Sequence, residues 1–192
     1  MTPRCFHLLV AISCGPALPC AADPPGDARP APLALHPENP RYFLFRGKPA
    51  ILATSGEHYG AVLNRDFDYV PYLDELKAHG FNLTRTFAGT YREVPGSFGI
   101  PGNTLAPEPG MYLAPWPRSD VPGAGDGGQR FDLKRWSPEY FARLGAFVSE
   151  AGKRGIVVEL VFFCTFYDDD VWRVSPMNPA NNIQGIGPSA RL

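Results

Sequence analysis

The chain has 192 residues, enough for one domain with a sizeable hydrophobic core. Its formal net charge is -1 and its basic residues are not clustered, so it lacks the electrostatic footprint of a nucleic-acid-binding protein. A hydrophobic content of 44% and an aromatic content of 12% exclude overall disorder.

The amino terminus is typical of an export signal. Arg4 supplies a positive start, residues 8–12 begin a short apolar run, and Cys20-Ala21-Ala22 offers small residues at a cleavage position. We expect residues 1–22 to be a signal peptide and the mature protein to be secreted or periplasmic. Lipid attachment at Cys14 or Cys20 is the less favoured alternative. The apolar run is too short to span a membrane.

Removal of the signal peptide leaves Cys164 as the one remaining cysteine, so the mature chain can form no internal disulfide. Residues 23–40 are rich in proline and predict an extended linker. Residues 41–192 then form the folded domain.

The domain begins with a predicted strand at residues 42–45 that turns through Gly47 into a second strand, Ala50–Thr54. A loop follows at residues 55–64. A helix is predicted from about Asp66 to His79, with the apolar stripe Val70, Leu73 and Leu76 packing on a sheet.

The next strand, Phe81–Phe87, follows a helix that ends at Gly80 and carries Arg85 near its own end. An unpaired buried guanidinium is costly. Ligand sites in α/β folds, however, lie at the carboxyl ends of parallel strands. Arg85 therefore indicates a site as well as a strand.

Residues 88–130 are a long connection, dense in proline, glycine and polar residues, which indicates a binding loop or lid. A helix follows, with Ser137 as its N-cap and Gly155 just past its end. Its predicted buried face consists of Phe141, Leu144, Val148 and Ala151. The last strand, Ile156–Phe163, is almost continuously apolar, which predicts coverage on both faces.

The order of strand, helix, strand, helix and strand predicts an α/β fold. Three segments carry a more specific resemblance: Phe45-Arg46-Gly47-Lys48-Pro49, residues 79–85 (HGFNLTR) and residues 154–160 (RGIVVEL). Together they resemble the amino-terminal part of a (β/α)8-barrel glycoside hydrolase, nearest to the cellulase-like enzymes of clan A, family 5. The resemblance spans roughly residues 41–185.

This resemblance implies an incomplete TIM (β/α)8 barrel of about three βα units, since a full barrel has about 250 residues. It also implies a β-linked glycan as substrate, a retaining two-carboxylate mechanism and no cofactor. The acid/base and nucleophile glutamates follow the fourth and seventh strands in this family, so we expect both beyond Leu192. We expect a truncated or partial chain that is inactive alone, the alternative being completion by a partner chain.

Two other functions stay open at this point. One is a non-catalytic carbohydrate-binding barrel, and the other is a TIM-barrel enzyme of another class. The resemblance assigns Arg85 a supporting role beneath the nucleophile, which it would keep ionised; a purely structural salt bridge is the alternative. Glu159 interrupts an apolar strand at its middle, and a partner such as Arg85 accounts for it better than catalysis does.

Candidate sugar contacts lie in the loops after the strands. His58 could bond a sugar hydroxyl, and flat aromatic rings suit the apolar faces of sugars, although each residue could equally pack a loop. Asn182 could bond hydroxyls, with turn formation as its alternative. The predicted substrate-binding residues are Glu57, His58, Tyr59, Tyr91, Trp116, Trp172 and Asn182. Residues 168–170 are three adjacent aspartates, which favour a solvated turn over a metal site, and we expect no metal.

Overall fold

The computed structural model describes residues 31–188, and the chain divides into two compact units between Pro49 and Ala50. The predicted signal peptide (residues 1–22) and residues 23–30 of the predicted linker lie outside the described residues. Within residues 31–188, no helix combines the length and the apolar character needed to cross a membrane.

A small sheet has the order β1 (Ala34–Leu35), β2 (Phe43–Phe45) and β3 (Lys48–Ala50), and all of it except Ala50 belongs to the first unit. β1 lies inside the segment predicted as an extended linker and pairs antiparallel with β2. Arg46 and Gly47, both at positive φ (51° and 75°), connect β2 to β3. Two such residues are typical of the tight turn that joins neighbouring strands, which confirms the predicted turn at Gly47.

The two long helices of the second unit are α1 (Tyr69–Ala78) and α2 (Pro138–Lys153). The Asp68 carboxylate caps α1 by accepting a bond from the Val70 N–H, so α1 is shorter than predicted. The Ser137 hydroxyl caps α2 by accepting from the Tyr140 N–H, as predicted. Gly155 follows α2 at φ 75°, a conformation that favours glycine and ends the helix.

The buried face of α2 differs from the prediction. Tyr140, Phe147 and Ala151 are buried, whereas Phe141 and Val148 are exposed. Ala151 is buried and Leu144 packs against the core as predicted, so the prediction is wrong at Phe141 and Val148, whose places are taken by Tyr140 and Phe147. The Phe147 ring packs edge-on against Tyr69 of α1. Leu73 and Leu76 of α1 join the same core, as expected from their spacing.

The parallel sheet consists of two strands, β4 (Leu83–Phe87) and β7 (Val157–Val161), each lying within the longer strand predicted there. The strand predicted at Ala50–Thr54 is wrong beyond Ala50, where β3 ends. The Asn82 side chain bonds the Ala53 N–H and the Ile51 carbonyl, which takes the place of strand pairing there. A three-stranded start of a barrel is therefore not seen among residues 31–188.

The helices cover one face of this sheet. On that face Thr84 is fully buried, and its hydroxyl bonds the Tyr72 hydroxyl of α1 at 2.7 Å. On the opposite face Arg85 and Glu159 are half-exposed. The expected coverage on both faces is thus wrong for the described residues, because no helix or strand packs over Arg85 and Glu159.

The connection from residue 88 to residue 130 folds onto a core of its own. Its last part forms an antiparallel hairpin of β5 (Arg118–Pro122) and β6 (Gln129–Phe131), and Ser97–Gly99 forms a 3-10 turn. The many prolines and glycines of residues 88–130 predicted a loop. The ordered structure of this segment depends instead on contacts with residues distant in the chain. That second core contains Leu63, Tyr91, Leu105, Tyr112, Ala114, Phe131, Phe166 and Val171. The chain continues through the short helix α3 (Asp169–Arg173) and a 3-10 turn at Pro179–Asn181.

Candidate functional site

The centre of the candidate site is an ion pair across the parallel sheet. The register places Arg85 of β4 directly beside Glu159 of β7. The Arg85 Nη2 donates to Glu159 Oε2 at 2.9 Å, with side-chain exposures of 43% and 45%. Glu159 is therefore the partner of Arg85, as its position in mid-strand predicted.

Arg85 stays cationic in this setting. The hydrogen bond that Arg85 donates to Glu159 raises the pKa of Arg85, with smaller contributions from the nearby Tyr59 and Glu57. The Arg85 Nε is buried and has no hydrogen-bond partner. A guanidinium has several N–H donors, and the bond to Glu159 uses one of them.

The loop that carries Glu57, His58 and Tyr59 is tied to the end of β4. The Tyr59 carbonyl accepts bonds from the Phe87 N–H at 2.9 Å and from the Thr86 hydroxyl at 3.1 Å. The Tyr59 ring packs edge-on against Phe87. Glu57 and Tyr59 are thereby held close enough to raise the pKa of Arg85.

His58 packs among aromatic rings. Its ring lies 4.5 Å from Phe67 and 4.9 Å from Tyr72, measured between ring centroids. Burial lowers the pKa of His58, so the imidazole is neutral at physiological pH. A neutral imidazole keeps both a donor and an acceptor, which suits a hydroxyl partner.

The structure places three of the predicted sugar-binding residues in the packing of the chain itself. Tyr91 is 1% exposed and donates its hydroxyl to Glu93 Oε1 at 3.0 Å. Trp172 packs edge-on against Phe166. Asn182 is also 1% exposed, and its amide bonds backbone atoms of residues 176, 178 and 186. These residues do not join Arg85, and the amide of Asn182 is fully occupied.

Trp116 lies at a separate place, on the wall of an apolar cavity of about 600 Å³. It stacks on Trp136, with ring centroids 6.2 Å apart. Trp136 precedes the N-cap of α2 and packs edge-on against Phe141, the arrangement known as a hydrophobic staple. Trp136 was not among the predicted site residues. The sequence W-S-P-E-Y-F contains the signal for it, an aromatic residue just before the N-cap and another at the fourth helical position.

A second feature missed from the sequence is a cluster of arginines around Asp126. Arg92 and Arg118 both bond this carboxylate, which lies in the glycine-rich loop between β5 and β6. The repeated glycines flanking a single aspartate at residues 123–128 were a usable signal. Among residues 31–188, no group of three His, Cys, Asp or Glu side chains is placed to hold a metal ion, and Asp168 instead caps α3.

The fold of this chain is similar to that of a protein of known structure. The described fold resembles a crystal structure from Bacteroides vulgatus, that of a "putative glycoside hydrolase", with a TM-score of 0.50 and 16% sequence identity. The match covers 76% of this chain and 26% of that chain, so this chain spans about a quarter of the length of its structural neighbour. No family model matches the sequence. No curated protein matches it either.

The geometry at Arg85 suits the binding of an oxygen-rich ligand. Arg85 presents donors on the uncovered face of the sheet, and Glu159 presents an acceptor beside it. Tyr59 adds an aromatic ring near the carboxyl end of β4. Donors, an acceptor and a ring at the end of parallel strands can bond hydroxyls and contact the apolar face of a sugar.

Proposed function

We propose that this chain forms part of an exported glycoside hydrolase that acts on a β-linked glycan. The observation that carries the proposal is the Arg85–Glu159 pair, which occupies the uncovered face of two parallel strands. The likeness to the Bacteroides vulgatus structure supports it at the level of the fold. The resemblance of residues 79–85 and 154–160 to cellulase-like enzymes of clan A, family 5, points the same way.

In this proposal the sheet of β4 and β7 is the beginning of a (β/α)8 barrel, and its uncovered face is the barrel interior. Arg85 is a positioning residue. Its free donors would bond a catalytic carboxylate and keep it ionised, because a neighbouring cation favours the charged form. Glu159 holds the guanidinium in place through one bond, which leaves the other donors for that carboxylate.

The proposed reaction is retaining hydrolysis by two carboxylates about 5 Å apart, one a nucleophile and one an acid/base. We propose that both belong to the portion of the fold that this chain does not span, since the match covers 26% of the structural neighbour. Glu57, His58 and Tyr59 would contact the sugar at the edge of that site. Tyr91 and Asn182 would support the loops from within the core.

Calorimetric titration of the full chain with β-linked oligosaccharides tests the proposal. Cello-, xylo- and manno-oligosaccharides form the test series, and α-linked malto-oligosaccharides are the control. We expect weak binding of at least one β-linked series. In this chain the Arg85 donors that would bond the carboxylate are open to sugar hydroxyls, since among residues 31–188 Arg85 makes one side-chain bond, to Glu159, so we expect Arg85→Met to abolish the binding. Arg135→Met is the matched control, because Arg135 is an exposed arginine. Equal binding of the α-linked series, or none of any series, would count against the proposal.

A further inference from the structure

The structure contains a polar cavity, separate from the sheet face at Arg85. Its volume is about 630 Å³, within the range of small-molecule sites. Four arginines line it, against the two carboxylates Glu93 and Asp126. The arginines are Arg65, Arg92, Arg118 and Arg173.

Asp126 is shared between two guanidinium groups. Arg92 Nη2 donates to Asp126 Oδ2 at 2.8 Å, and Arg118 bonds both oxygens of the same carboxylate. Burial disfavours the charged form of Asp126, yet the bonds from Arg118 and the charge of Arg92 outweigh it and lower the pKa of Asp126. The Asp126 carboxylate therefore forms ion pairs with two guanidinium groups.

Arg92 is the most deeply placed of these cations. Its side chain is 9% exposed, and its Nε is buried without a hydrogen-bond partner. Its guanidinium lies over the ring of Tyr112, 4.4 Å from the centroid. A buried guanidinium with an unused donor is costly, so the site favours a further acceptor.

The other charged groups that line the cavity do not cancel the positive charge around Arg92. Glu93 bonds the Tyr91 hydroxyl and the Asn103 amide. Arg173 adds another positive charge near Arg92, and its own ion-pair partner, Asp170, is largely exposed. Arg65 pairs with Glu139. With Arg65 set aside, three arginines of the cavity lining stand against two carboxylates, so the cavity carries more positive than negative charge.

We propose that this cavity binds a carboxylate-bearing sugar, a uronate unit of an acidic glycan, through Arg92, Arg118 and Arg173. Guanidinium and carboxylate groups match in charge and in bidentate geometry. The side-chain amide of Gln129, which also lines the cavity, offers a donor and an acceptor for the hydroxyls of the ring. The sugar part of this assignment rests on the proposed function, whereas the anion part rests on the charges alone.

The experiment is a titration of the full chain with D-glucuronate, D-glucose, acetate and sulfate at constant ionic strength, followed by NMR. The variant is Arg173→Gln, because Arg173 is half-exposed and its side-chain bonds among residues 31–188 are limited to an exposed ion pair with Asp170 and one bond to the Gly125 carbonyl. The matched control is Arg135→Gln, which removes one exposed arginine that does not line the cavity. We expect glucuronate to bind more tightly than the other three compounds, and Arg173→Gln to weaken it about tenfold.

Two results would overturn the assignment. One is glucuronate binding no tighter than glucose, acetate or sulfate, and the other is an Arg173→Gln affinity equal to that of Arg135→Gln. Different results would reject the proposed function and the cavity assignment. Shifts at Arg85 on adding β-linked oligosaccharide, without glucuronate binding, would reject the cavity and leave the proposed function. Glucuronate binding in the cavity, without any such shift at Arg85, would reject the proposed function and support the anion site.

Discussion

Arg85 and Glu159 occupy equivalent positions on two parallel strands and are joined by a single hydrogen bond of 2.9 Å. Each side chain is close to half-exposed. An exposed pair of this kind contributes about 0–1 kcal/mol to stability. The pair is therefore better suited to orienting Arg85 than to holding the sheet together.

A double-mutant cycle of Arg85→Met and Glu159→Gln tests this weak coupling. We expect a coupling free energy below about 1 kcal/mol in urea unfolding, because solvent screens both charges. A coupling above about 3 kcal/mol, the range of buried pairs, would show that the pair is a structural salt bridge and would weaken the positioning role of Arg85.

Ser137→Ala tests the N-cap of α2. The Ser137 hydroxyl accepts the Tyr140 N–H at 3.3 Å, so the variant should lower the free energy of unfolding by about 1 kcal/mol. Ser149→Ala is the control, since Ser149 lies on the exposed side of the same helix. Equal effects of the two variants would contradict the capping role.

Arg143 of α2 ties down the loop that follows Tyr59. Its guanidinium donates to the backbone carbonyls of residues 61, 62, 64 and 67. Arg143→Met leaves these carbonyls without their donor, and we expect the free energy of unfolding to fall by about 2–3 kcal/mol. Arg135→Met should change it little, as measured by urea unfolding. A small effect of Arg143→Met would show that the loop holds its position without this arginine.

His58 gives a pH dependence of stability. Burial lowers the pKa of His58 below its ordinary value of 6.5, so the unfolded chain binds a proton more readily than the folded chain. This contribution to stability is complete above about pH 6.5 and is lost as the pH falls through the pKa of the folded state. We expect the free energy of unfolding to fall as the pH is lowered from about 6.5 through the pKa of His58 in the folded state, and His58→Phe to reduce that fall. An equal fall in His58→Phe and in the unsubstituted protein would contradict the assignment.

The sequence predicted the parts of the fold that depend on local signals. Ser137 and Gly155 marked the limits of α2, and the residue types of β4 and β7 marked both strands. The Arg85–Glu159 pair followed from placing one charge on each of two buried strands. The ends of α2 and the two strands were each predicted from neighbouring residues, and the Arg85–Glu159 pair then required only that the two strands lie side by side.

The remaining features depend on contacts between distant residues. Asn82 takes the place of strand pairing at Ala53, which no propensity of residues 50–54 reveals. Arg92 meets Asp126 across 34 residues of chain. Asn182 appeared as a polar loop residue, yet its amide is bonded within its own turn. Sequence patterns identified these polar side chains but not the groups with which they form hydrogen bonds and ion pairs.

The central claim is a sugar site at the carboxyl end of β4, and the most direct test is NMR of the full chain during titration with the β-linked oligosaccharide that binds best. We predict shifts at Glu57, Tyr59 and the Arg85 Nε–H, with no shift at the buried amide of Asn182. Shifts confined to residues away from Arg85, or no shift at saturating sugar, would contradict the claim.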